Sequence, residues 1–225
     1  MKICLFDIDG TLIRSGGAGK QAFLRTLQEA FGVEVVDPGV PFAGRTDRGI
    51  VRDLFAHFKI PITSQSWDLF TEVYFRILPE CLASCRGSVL PGVETLLEII
   101  AANSEIEMGL LTGNTAKGAS MKLQYYGLEH YFGFGGFGDQ HVERDRVAEQ
   151  ALIATRERWG KAIAPEQIFV IGDTPADIQC GRTIGAQTVA VCTGKYSATD
   201  FTAEAPNLVL EDFSMAGPLL DQLTT

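Results

Sequence analysis

Short continuous runs of apolar residues recur along the chain and predict strands that are buried on both faces. They occupy residues 2–8, Glu107–Leu111, Ile168–Ile171 and Thr188–Val191, with a weaker candidate at Phe132–Phe134. Uninterrupted apolar runs of this length are typical of a parallel sheet that helices cover on both sides. The pattern therefore predicts a buried parallel sheet.

Amphipathic helical patterns fall between these runs in the later part of the chain. They are predicted at Val93–Ala102, Thr115–Tyr126, Arg146–Trp159 and Pro175–Ile184. Three of them end next to a glycine, a residue at which helices commonly stop. Strands and helices that alternate from residue 87 onward predict an α/β fold with a doubly wound, Rossmann-like parallel sheet.

The alternation is interrupted after the first strand by about 65 residues that lack a strand pattern. Apolar positions at helical spacing predict three amphipathic helices in this interval, at Ala18–Phe31, Asp47–Phe58 and Trp67–Leu82. Each of these helices needs an apolar partner to cover its buried face. The interval is therefore expected to fold as a helical unit of its own.

This helical unit is predicted to be a small α-helical domain formed by residues 15–85 and inserted after the first strand. The core domain then consists of residues 1–14 and 86–225, with linkers near residues 13–19 and 84–92. The glycines of the first linker are suited to a hinge that lets the inserted domain open and close.

Composition and charge narrow the class of protein. The 225 residues are 46% hydrophobic, which excludes a disordered chain, and the net charge is −9. Because phosphate backbones and anionic lipids attract basic surfaces, nucleic acid and membrane are not expected as partners. Residues 15–85 carry seven basic and eight acidic residues, so the acidic excess belongs to the predicted core.

The cellular compartment is predicted from cysteines and from the absence of targeting signals. Five cysteines, an odd number without a CxxC pair, are typical of a reduced protein with buried thiols. No run of residues approaches the ~20 apolar positions of a membrane span. A cytoplasmic protein is therefore expected, and a monomer and a homodimer are equally compatible with the sequence.

Three polar segments each follow a predicted strand: residues 7–11 (DIDGT), residues 112–114 (TGN) and residues 172–177 (GDTPAD). Taken singly, each is also explained by turn or helix capping, with Thr112 as a cap for the helix that follows. Open parallel sheets, however, bind ligands outside the carboxyl ends of their strands. The segments would therefore converge on one crevice.

Four carboxylates would meet in that crevice: Asp7, Asp9, Asp173 and Asp177. Carboxylates held close together repel one another unless a cation or a proton lies between them. Mg²⁺ prefers oxygen ligands, typically a few carboxylates together with water and phosphate oxygens. The sequence therefore predicts a Mg²⁺ site at this edge of the sheet.

The segments DIDGTL, LLTGN and GDTPADI closely resemble, in this order, the motifs of the haloacid dehalogenase-like phosphatase superfamily. The resemblance spans nearly the whole chain. The inserted helices resemble the C1-type cap of that superfamily, and the chain resembles its phosphoglycolate phosphatase-like members. The resemblance implies Mg²⁺-dependent hydrolysis of a small phosphate monoester through an aspartyl-phosphate.

The same resemblance implies a role for each acid. Asp7 would be the nucleophile, and Asp9 would protonate the leaving group and then activate water. Asp7, the backbone carbonyl of Asp9 and Asp173 would hold Mg²⁺, while Asp177 supports the metal. Thr112 would hold a phosphoryl oxygen. Further substrate-binding candidates are Gly10, Thr11, Arg45, Gly113 and Asn114.

The implied chemistry also requires a fixed cation near the phosphoryl oxygens. The residue that would supply this cation departs from the family pattern. The family usually has a lysine before the segment GDTPAD, whereas this chain has no lysine between Lys122 and Lys161. Arginine supplies a permanent charge on a planar fork. Arg144, at the start of a predicted helix, is the preferred candidate; Arg146 is the alternative, and Lys161 is a weaker one.

Arg45 lies between two predicted cap helices, in a segment that resembles the specificity loop of C1 caps. It is a candidate for binding an anionic part of the substrate, and a solvated arginine beside a capping Thr46 or Asp47 is the alternative.

Two other functions remain open: a phosphomutase of the β-phosphoglucomutase type, and a catalytically idle Mg²⁺/phosphate-binding module.

Overall fold

The computed structural model of the protein describes residues 1–34, 38–160 and 163–224, so Lys161 lies outside the described residues. Most elements lie where the apolar pattern predicts them. The strands are β1 (Lys2–Phe6), β2 (Ile13–Arg14), β3 (Ser88–Val89), β4 (Ile106–Leu111), β5 (Gly135–Gly136), β6 (Ile168–Gly172), β7 (Gln187–Val191) and β8 (Leu208–Leu210). The α-helices are α1 (Ala18–Phe31), α2 (Asp47–His57), α3 (Ser64–Ser84), α4 (Val93–Ala101), α5 (Ala116–Tyr125), α6 (Arg144–Trp159), α7 (Pro175–Thr183) and α8 (Gly217–Thr224).

Six strands form one parallel sheet in the order β5-β4-β1-β6-β7-β8. The first strand of the chain lies inside this sheet, with Phe6 in register with Leu110 on one side and with Ile171 on the other. The carboxyl ends of β1, β4 and β6 therefore lie side by side. The predicted α/β fold with a Rossmann-like parallel sheet is confirmed.

The two faces of the sheet carry separate apolar layers. In β1, Cys4 and Phe6 pack in one layer, together with α4, α5 and α8, whereas Ile3 and Leu5 pack in the other, with α6 and α7. Successive residues of a strand point to opposite faces, so a strand between two helical layers is apolar at every position. This arrangement explains the uninterrupted apolar runs of the sequence.

Helices α1, α2 and α3 form a third apolar cluster outside these layers. At its centre Phe23 contacts Phe70 and Tyr74, with ring centroids 5.2 Å and 4.8 Å apart in edge-on geometry. The chain enters and leaves this region through the antiparallel pair β2–β3, in which Ile13 lies opposite Val89. The cap limits at residues 15 and 85 remain a prediction.

Several predicted element ends differ from the observed ones. The strand predicted over residues 2–8 ends at Phe6, because the Ile8 carbonyl accepts three backbone N–H groups in the turn that follows. The strand predicted at Phe132–Phe134 lies instead at the next two residues, Gly135 and Gly136. A Cβ on either glycine would lie within 2.4 Å of a neighbouring backbone oxygen, so only glycine permits this approach.

The described residues also show whether any helix could span a membrane and whether the cysteines form disulfides. Within them, no helix is both long enough and apolar enough to cross a lipid bilayer. All five cysteines are free thiols.

Candidate active site

The acids predicted from the sequence lie at the carboxyl edge of the sheet. Asp7 follows β1, Asp173 follows β6, and Asp177 lies in the first turn of α7. One carboxylate oxygen of each lies within 4.8 Å of the others, and all three residues are buried. Three carboxylates at this spacing provide the oxygen donors that a hard divalent cation such as Mg²⁺ prefers.

The electrostatics of this cluster favour a cation. Burial raises the pKa of Asp7 from 3.8 to about 6, while Asp177 adds to the rise and Arg144 opposes it. Burial, together with the charges of Asp177 and Asp7, raises the pKa of Asp173 to about 8. Burial, and after it the neighbouring carboxylates, thus oppose ionisation of these acids in the absence of a counter-charge. A bound divalent cation would supply that charge.

Gly10 and Thr11 lie in the turn after β1 and contact the Asp173 carboxylate of this cluster. Gly10 has a φ of +92°, and a Cβ there would lie 2.3 Å from the Asp173 carboxylate, so only glycine fits. The Thr11 hydroxyl donates to Asp173 at 3.2 Å. Thr11 therefore orients an acid of the cluster.

Arg144 supplies the positive charge beside the nucleophile candidate. It is the first residue of α6, two positions earlier than the predicted start, and its guanidinium lies 3.0 Å from Asp7 and 2.5 Å from Asp177. Arg146 points away from the site and pairs with Glu149 on the surface. Only the first of the two arginines considered in the sequence reaches the acids.

Asp177 also fixes its own helix. Its second carboxylate oxygen accepts from the Thr174 backbone N–H at 3.0 Å and from the Thr174 hydroxyl at 2.7 Å, which closes a capping box at the start of α7. One carboxylate thus caps the helix and binds Arg144.

Thr112 does not cap the helix that follows it. Thr115 accepts from the Gly118 backbone N–H and is the cap of α5, so the capping interpretation of Thr112 is wrong. Thr112 is fully buried behind the site, where it accepts from Asn114 Nδ2 at 2.9 Å and lowers the pKa of Asp7 through a hydrogen bond.

Asp9 lies in a different environment from Asp7. Its Oδ1 accepts from Ser15 at 3.1 Å, and its Oδ2 accepts from Asn114 Nδ2 at 2.9 Å and from Lys122 Nζ at 2.5 Å. Burial raises the pKa of Asp9, but the charge and hydrogen bond of Lys122, together with hydrogen bonds from Asn114 and Ser15, outweigh it, so the pKa is lowered overall. The pKa values of Asp7 and Asp9, which are two residues apart, are therefore shifted in opposite directions.

Sequence reasoning missed Lys122. It belongs to α5, where its side chain lies among the buried residues Ala119 and Leu123 and is only 5% exposed. The signal that would have indicated it is a lysine within the apolar face of an amphipathic helix, since such a charge is expensive unless it is paired.

The site opens into a cavity of about 630 Å³ between the sheet edge and helices α1–α3. Eight of the eleven residues predicted from the sequence line it: Asp7, Asp9, Gly10, Arg45, Gly113, Asn114, Arg144 and Asp173. The other three, Thr11, Thr112 and Asp177, are fully buried behind it. Aromatic and aliphatic side chains of the helical region cover the cavity from the opposite side.

The loop of residues 42–47 ties the helical region to the sheet edge. The Asp47 backbone N–H donates to the Gly113 carbonyl at 2.7 Å, and the Asp47 carboxylate accepts from the Thr115 N–H at 2.8 Å. A Cβ on Gly113 would lie 2.0 Å from the Arg45 carbonyl oxygen, so this close approach requires glycine. Thr46 caps α2 by accepting from Gly49, as one interpretation of the sequence predicted.

Arg45 lines the cavity but is paired within its own loop region. Its guanidinium lies 2.7 Å from Asp53 and donates to the Gly49 carbonyl at 3.3 Å. The predicted contact of Arg45 with a substrate anion remains a prediction.

Comparison with known sequences identifies relatives of the whole chain. A family model described as haloacid dehalogenase-like hydrolase matches residues 4–191. The phosphoglycolate phosphatase of Pseudomonas putida is 25% identical over 94% of this chain and 76% of its own length. That of Aquifex aeolicus is 24% identical over 92% of this chain and 94% of its own length.

Solved structures match the fold over nearly its whole length. A hydrolase from Pseudomonas syringae superposes with a TM-score of 0.74 at 19% identity, covering 99% of each chain. CbbY from Rhodobacter sphaeroides, in complex with phosphate, superposes with a TM-score of 0.76 at 17% identity, covering 96% of each chain. The match of the family model over most of the sequence, together with this fold, shows that the chain belongs to the haloacid dehalogenase-like hydrolase family.

Proposed function

We propose that the protein is a Mg²⁺-dependent phosphatase that hydrolyses a small soluble phosphate monoester in the cytoplasm. The observation that carries the proposal is the buried cluster of Asp7, Asp173 and Asp177 with Arg144 against it, at the floor of a covered cavity. Asp7, Asp173 and the backbone carbonyl of Asp9 would hold the cation, with Asp177 in support. The bound cation would neutralise charge between a phosphate dianion and the acids.

In the first proposed step, a carboxylate oxygen of Asp7 attacks phosphorus, and the bond from phosphorus to the ester oxygen breaks. Asp9, which must carry a proton when the ester is bound, gives that proton to the leaving oxygen, so that an alcohol departs. Asp7 then carries the phosphoryl group as an aspartyl-phosphate. Thr112, the loop of Gly113 and Asn114, and Arg144 stabilise the charge on the phosphoryl oxygens.

In the second proposed step, a water molecule attacks the same phosphorus atom while Asp9 accepts its proton. The bond between phosphorus and the Asp7 oxygen breaks, and inorganic phosphate leaves. The cavity and its cover suit this chemistry, because a closed site keeps bulk water away from the reacting groups. A cover also favours small esters over phosphorylated proteins, which would obstruct closure.

The relatives named phosphoglycolate phosphatase make 2-phosphoglycolate the first ester to test. The experiment measures phosphate release from a panel of esters, with and without Mg²⁺, for the wild type and for Asp7→Asn. We expect release that requires Mg²⁺ and falls by at least about 10⁴-fold in Asp7→Asn, because the amide cannot form the covalent intermediate.

Other outcomes of the panel would contradict the proposal in different ways. Isomerisation of a hexose phosphate without net phosphate release would indicate a mutase. Binding of phosphate and Mg²⁺ without turnover of any ester would indicate an idle binding module. Equal activity in Asp7→Asn would overturn the assignment of the nucleophile.

A further inference from the structure

A buried lysine lies beside the proposed acid–base residue and takes no part in the steps above. Lys122 Nζ is 2.5 Å from Asp9 Oδ2 and 2.6 Å from Asn114 Oδ1. Taking an ammonium group out of water is unfavourable unless good partners replace the solvent. The position of Lys122 is therefore set by these two partners, at the wall of the cavity.

The hydrogen bonds around Asp9 leave its carboxylate little freedom to rotate. Ser15 binds one oxygen, and Asn114 and Lys122 bind the other. Asn114 is itself held at both ends of its amide, since Lys122 binds its oxygen while its nitrogen donates to Asp9 and Thr112. Within the part of the chain that the structure describes, Lys122 is thus the side chain that fixes both Asp9 and Asn114.

Arg144, the cation that lies against the acid cluster, cannot take over this task. Arg144 is bound to Asp7 and Asp177, on the metal side of the cavity. Lys122 lies on the side that faces the helical cover, where a Cβ on Gly19 of α1 would come within 3.4 Å of Nζ. The two cations therefore serve different halves of the site.

We propose that Lys122 is a positioning residue, which holds the Asp9 carboxylate toward the leaving oxygen of the ester, both directly and through the Asn114 amide. The inference rests on the proposed phosphatase function and adds a residue to it. Without the ammonium group, Asp9 keeps one fewer bond on the oxygen that Asn114 shares, and Asn114 loses the partner of its own oxygen. The misplaced carboxylate would therefore lower kcat more than it would change KM.

The first test compares Lys122→Met with Lys117→Met in the full-length protein with Mg²⁺. Lys117 is exposed on the same helix, so it is a matched control for the substitution. We expect kcat of Lys122→Met on an alkyl phosphate to fall by about 10–100-fold, because misplacing a catalytic group by about 1 Å costs up to about 10²-fold. KM should change by less than about threefold, and Lys117→Met should match the wild type.

The second test separates positioning of Asp9 from a general structural defect. The p-nitrophenolate ion leaves without a proton, whereas an alkoxide needs one, so only alkyl esters depend on proton donation by Asp9. We expect the loss of kcat in Lys122→Met to be about tenfold smaller on p-nitrophenyl phosphate than on the alkyl ester, with Lys122→Arg recovering part of the alkyl activity.

The outcomes distinguish this inference from the proposed function. Equal losses on both esters, or wild-type kcat in Lys122→Met, would overturn the role of Lys122 and leave the phosphatase assignment intact. A wild type without activity on any ester would overturn the phosphatase assignment itself, and the role of Lys122 with it. If melting shows that Lys122→Met does not fold, Lys122→Gln is measured with the same expected pattern.

Discussion

The two walls of the cavity differ in the side chains that dominate them. The wall formed by the sheet edge presents buried charges, with Asp7 and Asp173 beside Arg144. The facing wall is mainly apolar, although Lys20, Arg45 and Asp47 also line it. Its aromatic residues Phe23 and Tyr74 are almost fully buried and pack edge-on against each other. Both walls enclose the same space and meet different physical demands.

This difference indicates a division of tasks. Charge that develops on a phosphoryl group is stabilised by groups already fixed in place, which is what the sheet edge offers. An apolar cover excludes water and shapes the space for the organic part of a substrate, yet it stabilises little charge. Substitutions at the sheet edge should therefore lower kcat, and substitutions in the cover should change KM and substrate preference.

Among the changes that test this comparison of the two walls, the largest expected effect comes from the arginine of the sheet edge. Arg144→Met removes the guanidinium that lies against Asp7 and Asp177 and leaves both carboxylates without their cation. We expect kcat/KM to fall by about 10²–10³-fold, as for the loss of a charge-stabilising group in other active sites. Breaking a buried ion pair should also lower the free energy of unfolding by about 3–5 kcal/mol.

Arg146→Met is the matched control, because Arg146 lies two residues away and pairs with Glu149 on the surface. Steady-state kinetics and thermal melts of both variants, together with Arg144→Lys, separate lost charge from lost folding. A harmless Arg144→Met beside an inactive Arg146→Met would reverse the assignment of the two arginines and with it the electrostatic account of the sheet edge.

The sheet-edge residues are the part of the site that local sequence could predict. Asp7, Thr112 and Asp173 each follow an apolar run, so the strand ends locate them and the parallel sheet brings them together. Helix α1 was predicted with its observed ends because apolar spacing and flanking glycines coincide there. The two-residue strands β2 and β3 were missed, because two residues have no periodicity.

The cap-facing contacts depend on geometry that no local pattern contains. Lys122 is separated from Asp9 by 113 positions, and their contact depends on how α5 is rotated against the sheet. The pairing of Arg45 with Asp53 likewise depends on how a loop folds back on its helix. Sequence reasoning therefore predicted the residues of the metal side better than those that face the cover.

The second prediction concerns the charge of the metal side. The pKa of Asp7 is raised from 3.8 to about 6, and that of Asp173 from 3.8 to about 8. Between pH 3.8 and these raised values, the folded protein therefore binds more protons than the unfolded chain. Their contribution to stability is fully present below about pH 3.8 and is lost as the pH rises through about 6 and then about 8. Without metal, these acids destabilise the protein at alkaline pH.

A bound divalent cation should reverse this loss, because it binds the deprotonated carboxylates. We expect Mg²⁺ at a hundred times its Kd to add about 2.7 kcal/mol to the free energy of unfolding near pH 8.5, and much less near pH 5. Melting temperatures with Mg²⁺ and with EDTA at the two pH values measure the difference. Asp173→Asn should abolish the Mg²⁺ effect; an equal Mg²⁺ shift at both pH values would contradict the prediction.

The smallest expected effect concerns Arg45, which lines the cavity from the side of the helical region and pairs with Asp53 of α2. Arg45→Gln should raise KM for an ester with a carboxylate, such as 2-phosphoglycolate, by about fivefold, since a partly exposed ion pair contributes at most about 1 kcal/mol. KM for an uncharged alkyl phosphate should change by less than about twofold, because that ester offers Arg45 no second anion.

Arg52→Gln is the control for this change, because Arg52 also pairs with Asp53 but is more exposed and lies outside the cavity. If Arg52→Gln raises KM for 2-phosphoglycolate as much as Arg45→Gln does, the effect comes from Asp53 and the loop it holds, and Arg45 does not bind the substrate. If only Arg45→Gln raises KM, and only for the carboxylated ester, the wall formed by the helical region selects substrates by charge at Arg45.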